Sequence, residues 1–225
     1  MDKLKVRLVI WVTSDCNLHC PHCSQRHTML SNKDYEMAME EVNYIVQSCK
    51  ERDLFFDCIE ITGGEPSLWS NLQEGVKRFA EICNTVTLVT NGNEPEKILG
   101  LNLETWGVSA TQATPEQLKR YANERKVFFN SHPHKKFPEE PVPDSLPAQC
   151  CVALSPDGLP QNNIMYLRGW VYYCCNAFAL SKKAGSEDGT WLPFELDFIS
   201  YFNNKKFDKK ICSYCLCNQK IYNKL

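Results

Sequence analysis

Apolar residues along this chain come in short, nearly unbroken runs that alternate with stretches of helical periodicity. Residues 5–13, KVRLVIWVT, are mostly β-formers in an almost continuous apolar run, which predicts a strand covered on both faces. The next segment, DYEMAMEEVNYIVQSCK, places Tyr35, Ala38, Met39, Val42, Ile45, Val46 and Cys49 at helical spacing, and so predicts a helix. DCIEITGG predicts a second strand, and NLQEGVKRFAEIC a second helix with Leu72, Val76, Phe79 and Ile82 on one face. VTLVTNG predicts a third strand ending in a turn, and WGVSA a fourth. TPEQLKRYANE predicts a helix capped by Thr114 with Pro115 in its first position, and KVFFN a fifth strand.

Strands that alternate with helices imply parallel βαβ units joined by right-handed crossovers. A full eight-fold barrel takes about 250 residues, so the roughly 150 spanned by this pattern suit a partial barrel of five or six parallel strands. Residues 131–149 carry five prolines and no periodicity, which marks a connecting segment. The expected organisation is therefore an α/β partial barrel of the TIM type over 1–149 and a small cysteine-rich domain over 150–225, where the hairpin-like GWVYYC lies.

Composition narrows the function classes. The chain has 225 residues, 43% of them hydrophobic and 23% charged, with a formal charge of −2. No general basic field is available for nucleic acid. The opening lysines and LVIWV imitate a signal peptide, but the apolar run is too short and no small-residue cleavage site follows. No segment approaches the roughly 18 apolar residues of a membrane span, so a cytoplasmic protein with no membrane partner is expected. Thirteen cysteines are then the anomaly, because a reducing compartment leaves metal binding or catalysis as their usual roles. Cys49, Cys58 and Cys83 are scattered and read as small core hydrophobes. Three more crowd residues 16–23, and seven follow residue 149.

Ligands of parallel α/β sheets bind at the carboxyl ends of strands, and the unusual residues fall there. Cys16, Cys20 and Cys23, in CNLHCPHC, follow the first strand; Gly63, Gly64, Glu65 and Pro66 follow the second; Asn91 ends the third; Ser109 lies near the end of the fourth. Three thiols without a fourth suggest a metal centre with one open position. CNLHCPHC followed by TGGEP resembles the radical S-adenosylmethionine (SAM) enzymes, whose signature is CxxxCxxC after the first strand and GGE after the second. The resemblance covers about residues 5–130. It implies that Cys16, Cys20 and Cys23 bind three irons of a [4Fe–4S] cluster whose fourth iron is chelated by the amino and carboxylate groups of SAM. It implies further that Gly63 and Gly64 let the backbone approach the methionine ammonium, that Glu65 offsets its charge, and that His22 stacks on the adenine. Ser109 would bind the ribose, with Asn91 nearby; the acidic partner common in the family is missing from GVSATQAT. Reductive cleavage of SAM would then give a 5′-deoxyadenosyl radical that abstracts hydrogen from an unactivated carbon.

The C-terminal cysteines add a second resemblance. Gly169-x4-Cys174 and Cys212-x2-Cys215 resemble the twitch domain, the short form of the SPASM domain, in which one upstream cysteine completes the ligands of an auxiliary [4Fe–4S] cluster. That upstream ligand is Cys150 or Cys151, with Cys151 preferred, and Cys217 competes with Cys215. A structural zinc knuckle built from the same thiolates is the alternative. The short barrel and small module most resemble the radical dehydrogenases of the 2-deoxy-scyllo-inosamine dehydrogenase type. This implies oxidation of a small polar sugar, cyclitol or nucleotide-like substrate, with the auxiliary cluster accepting an electron and flavodoxin or ferredoxin as donor. Arg168, His132 or His134 could assist as acid or base. A peptide or protein side chain is the alternative substrate, disfavoured because only a few residues precede the first strand. A metal-binding interaction module without activity would leave CNLHCPHC and TGGEP unexplained.

Overall fold

In the computed structural model, residues 4–20, 23, 28–29, 32–101, 105–109, 116, 119, 127–130, 162–172, 178, 185 and 191–198 are described. The backbone falls into two units, one of residues 1–19 and 29–133 and one of residues 20–28 and 134–225. The first holds five strands, β1 (Leu4–Trp11), β2 (Phe56–Thr62), β3 (Cys83–Thr90), β4 (Thr105–Ser109) and β5 (Val127–Asn130). All four successive pairings are parallel, and each strand lies beside its predecessor in the chain. Sequential order of this kind is how a (β/α) barrel is wound, in contrast to the reversing order of doubly wound sheets. The expected α/β partial-barrel class is the one observed.

Register explains the near-continuous apolar runs. Leu8 pairs with Ile59 and Ile10 with Ile61, and Ile59 and Ile61 pair in turn with Val86 and Leu88. Neighbours in register share a face, so these six side chains make one apolar layer, and all are buried. Val42, Ile45, Val46 and Cys49 of helix α1 (Met39–Glu51), with Val76 and Phe79 of α2 (Leu72–Phe79), belong to the same core. The scattered cysteines behave as expected of core residues: Cys49, Cys58 and Cys83 are buried, and burial pushes the Cys49 thiol up to about 12.

Helix α1 starts later than the periodicity predicts. Residues 35–37 are extended instead, with Ser14 N–H donating to the Tyr35 carbonyl at 2.9 Å and Met37 N–H to that of Val12 at 2.8 Å. Asp34, at φ 62°, turns the chain into this bridge. Met37 is buried from an extended segment rather than from a helix. Two short elements escape the sequence pattern, a 3-10 turn at Pro66–Leu68 and the one-turn helix α3 (Pro95–Ile98). Of the helix expected over TPEQLKRYANE, only Glu116 and Lys119 are described, both helical.

The second unit contains a three-stranded antiparallel ribbon of β6 (Asn162–Leu167), β7 (Trp170–Tyr172) and β8 (Trp191–Pro193). Arg168 and Gly169, at φ 51° and 81°, form the two-residue loop between β6 and β7. Positive φ at both positions is the type I′ geometry that matches strand twist. Tyr166 meets Phe194 edge-on at 5.2 Å, and Phe194 stacks on Phe198 at 5.4 Å. The division at 149/150 expected from the sequence stays a proposal.

Candidate functional site

The carboxyl ends of β1, β2 and β3 are tied together by a short set of hydrogen bonds. Gly64 N–H donates to the Thr13 carbonyl and Glu65 N–H to that of Asp15, both at 2.7 Å. These bonds draw the GG segment so close to the loop after β1 that no β-carbon fits. One added at Gly64 would lie 2.2 Å from the Asp15 carbonyl oxygen, and one at Gly63 2.5 Å from that of Thr13. The glycines are therefore required first by the chain's own backbone. The space into which their side chains would project is filled by residues 13–15, not left for a ligand.

Glu65 sits at the centre of the site and is 1% exposed. Its Oε1 accepts from Ser67 N–H at 3.0 Å and from the Thr90 hydroxyl at 2.6 Å, and its Oε2 from Asn91 N–H at 2.7 Å. Thr90 is held for this by accepting from Gly92 N–H at 3.0 Å. A carboxylate offers about four acceptor positions, so one on Oε2 is unused. All three donors are neutral, and no Lys or Arg among the described residues pairs with Glu65. A buried carboxylate solvated by dipoles but lacking a counter-charge favours a cationic partner.

Asn91 joins the third strand to the cysteine loop. Its side-chain amide donates to Asn17 Oδ1 at 2.8 Å, and its own oxygen accepts from Asn93 N–H at 3.0 Å. Cys16 thus lies between two anchored neighbours, Asp15 bonded to the β2 loop and Asn17 to the β3 end. Thr13 and Asn17 were not singled out from sequence; a polar residue at a strand end or inside a cysteine loop was the available signal.

The other expected site residues are placed as follows. Cys20 and Cys23 belong to the second unit, and Cys23 N–H donates to the Cys20 carbonyl at 3.2 Å. Cys16, Cys20 and Cys23 are each partly buried. Among the described residues no three His, Cys, Asp or Glu side chains converge as on a single metal ion. Ser109 is the last residue of β4, in register with Asn130. Arg168 is an exposed residue of the type I′ turn, a position set by backbone geometry. His22, His132, His134, Cys150, Cys151, Cys174, Cys212, Cys215 and Cys217 lie outside the described residues.

The fit of the expected cofactors can be judged on two features. Three thiols on one loop are the soft donors that an iron–sulfur cluster takes, one per iron. The hydroxyls of Ser14, 8% exposed, and Ser67, 2% exposed, are buried without a hydrogen-bond partner, beside the first cysteine and the GGE segment. Orphaned hydroxyls at the two motif loops suit a polar ligand. The residues fit the group.

Comparisons with known proteins agree. A Methanocaldococcus jannaschii protein assigned to glycyl-radical enzyme activation is 37% identical over 84 residues, 37% of this chain and 32% of that protein. The 7,8-dihydro-6-hydroxymethylpterin dimethyltransferase of the same organism is 33% identical over 82 residues, 36% of this chain and 16% of its own length. The chain thus spans a third or less of these curated relatives. Among solved structures, BtrN in complex with AdoMet and 2-DOIA is similar over 100% of this chain and 92% of its own, with a TM-score of 0.53 at 17% identity. Residues 10–131, more than half of the chain's 225, match the model of the Radical SAM superfamily. With CNLHCPHC and TGGEP joined at adjacent strand ends, the chain belongs to the radical SAM superfamily.

Proposed function

We propose that the chain is a radical SAM oxidoreductase acting on a small polar substrate. The observation that carries this reading is Glu65, a buried carboxylate without a counter-charge among the described residues, bonded into the same seam that anchors both neighbours of Cys16. Cys16, Cys20 and Cys23 would hold a [4Fe–4S] cluster, and Glu65 would receive the ammonium of SAM at the unused position of Oε2. His22 would pack against the adenine, with Asn91 and Ser109 near the ribose. When bound, these groups supply hydrogen abstraction from an unactivated carbon, and an auxiliary cluster on Cys151, Cys174, Cys212 and Cys215 supplies an acceptor for the second electron. The chain's own task is to orient the substrate and to keep water from the reacting carbon. The likeness in fold to BtrN, crystallised with AdoMet and 2-DOIA, favours a small-molecule substrate. Flavodoxin or ferredoxin is the proposed electron donor.

Iron counting tests the two-cluster arrangement. Replacing Cys16, Cys20 and Cys23 together by alanine should leave about four irons per chain, held by the C-terminal cysteines. A folded triple variant that retains no iron and carries zinc instead contradicts the auxiliary cluster and supports a structural knuckle.

A further inference from the structure

The two faces of the parallel sheet differ in kind. Opposite the aliphatic layer, register aligns Arg7 with Cys58, Val9 with Glu60 and Trp11 with Thr62, and aligns Cys58 with Thr85 and Glu60 with Thr87. An ordinary closed barrel fills its inner face with layers of Val, Ile and Leu. Here the corresponding positions carry an ion pair and three threonines. Arg7 Nη1 donates to Glu60 Oε2 at 3.0 Å, and the two side chains keep 41% and 21% of their surface exposed. A partly exposed pair of this kind adds on the order of 1 kcal/mol to stability.

Hydrogen-bonding capacity on this face is largely unspent. Among the described residues Glu60 uses one acceptor position and Arg7 one of its five N–H donors. Among the described residues the Thr62 hydroxyl has no hydrogen-bond partner, and that of Thr87 has the Cys58 sulfur at 3.5 Å. Trp11, on the same face, is fully buried and bounds the patch without opening onto it. The patch therefore offers a carboxylate acceptor, guanidinium donors, and hydroxyls that do both. With strands about 4.8 Å apart, three of them give a patch about 10 Å across, room for one monosaccharide-sized ring. It begins at Trp11 and Thr62, immediately before the loops that carry Thr13 and Gly63. Burial also raises the Glu60 carboxyl above its usual range against the opposing pull of Arg7.

We infer that Arg7, Glu60, Thr62 and Thr87 form the substrate-recognition face, and that the substrate is a neutral ring bearing vicinal hydroxyls. The inference rests on the radical SAM reading and names its substrate class. Adjacent hydroxyls can donate to the Glu60 oxygens while accepting from the remaining Arg7 N–H groups, and Thr62 and Thr87 can bond a further hydroxyl. A cationic ring would meet Arg7, and an apolar ring would leave all of these groups unpaired.

The test is calorimetric titration of the reconstituted, SAM-loaded protein with myo-inositol and methyl glucoside, and with cyclohexanol as a ring lacking vicinal hydroxyls. The expected result is binding of at least one polyol in the millimolar range or tighter, none of cyclohexanol, and at least a tenfold loss in Glu60→Gln and Arg7→Gln with unchanged circular dichroism. Thr87→Val, nearly isosteric, should weaken binding at least threefold and serves if a charge variant does not fold. Absence of polyol binding, or binding indifferent to these substitutions, overturns the inference. SAM cleavage by the unaltered protein is followed in parallel: cleavage without polyol binding defeats this inference alone, whereas polyol binding without cleavage defeats the radical reading and leaves the recognition face standing.

Discussion

Gly64→Ala tests the seam that joins the two motif loops. The added β-carbon would lie 2.2 Å from the Asp15 carbonyl oxygen, 2.7 Å from its carbon and 2.8 Å from the Ser14 oxygen. All three are backbone atoms, so no rotamer change relieves the contact. Reaching an ordinary separation of 3.4 Å requires Asp15 to withdraw by 3.4 − 2.2, or 1.2 Å. The bond from Glu65 N–H to the Asp15 carbonyl, now 2.7 Å, would then be broken. A lost buried hydrogen bond costs about 1–3 kcal/mol and overpacking a further 1–3 kcal/mol. Restricting the unfolded chain returns up to about 1 kcal/mol, which leaves a net loss of about 1–6 kcal/mol. Gly100→Ala is the control, because nothing lies within 4 Å of its β-carbon, and it should stay within about 0.5 kcal/mol of the parent. Urea unfolding of both variants measures the difference. Reconstitution with iron should also fall in Gly64→Ala, since the residue before Cys16 is displaced. A Gly64→Ala protein as stable as Gly100→Ala and fully loaded with iron would refute the close-approach argument.

Three further outcomes follow from named groups. Glu65→Gln places an amide against the donors Ser67 N–H and Asn91 N–H, which should cost about 2–3 kcal/mol in urea unfolding and weaken SAM binding at least tenfold in equilibrium dialysis. In cluster-free folded protein at pH 8, iodoacetamide should modify Cys16, Cys20 and Cys23 and spare Cys49, because a thiol at about 12 is only about one part in ten thousand thiolate there; peptide mass mapping that finds Cys49 labelled as fast as Cys20 contradicts its burial. Glu60, raised mainly by desolvation with Arg7 pulling the other way, binds more protons folded than unfolded between its ordinary value of 4.5 and its folded value. Its contribution to stability therefore diminishes as pH rises through that window, and urea midpoints of Glu60→Gln should lack this component.

Much of the first unit was legible because its strands and helices announce themselves by opposite periodicities. The expected strands at 5–13, DCIEITGG and VTLVTNG correspond to β1, β2 and β3 within a few residues. The start of α1 was not legible: Tyr35 and Met37 satisfy a helical stripe, yet backbone bonds to residues 12–14 hold them extended, and those partners are visible only in three dimensions. The same holds for Gly63 and Gly64, where sequence identifies a close approach but not what approaches. The neutral donors of Glu65 and the link from Asn91 to Asn17 likewise depend on loops far apart in sequence. Arg7, Glu60 and Thr87 sit within runs that look continuously apolar, and only the register collects them on one face. Arg168-Gly169 was legible as a turn, since Gly at the second position suits type I′ geometry. No helix among the described residues is long and apolar enough to cross a membrane.

Release of 5′-deoxyadenosine is the most direct measurement of the central claim. Protein reconstituted anaerobically with iron and sulfide, reduced with dithionite and supplied with SAM, should form 5′-deoxyadenosine and methionine, and Cys20→Ala, with the same circular dichroism, should form neither. Cleavage by Cys20→Ala at the parent rate, or none by the fully loaded parent protein, would contradict the assignment of CNLHCPHC as the site of SAM cleavage.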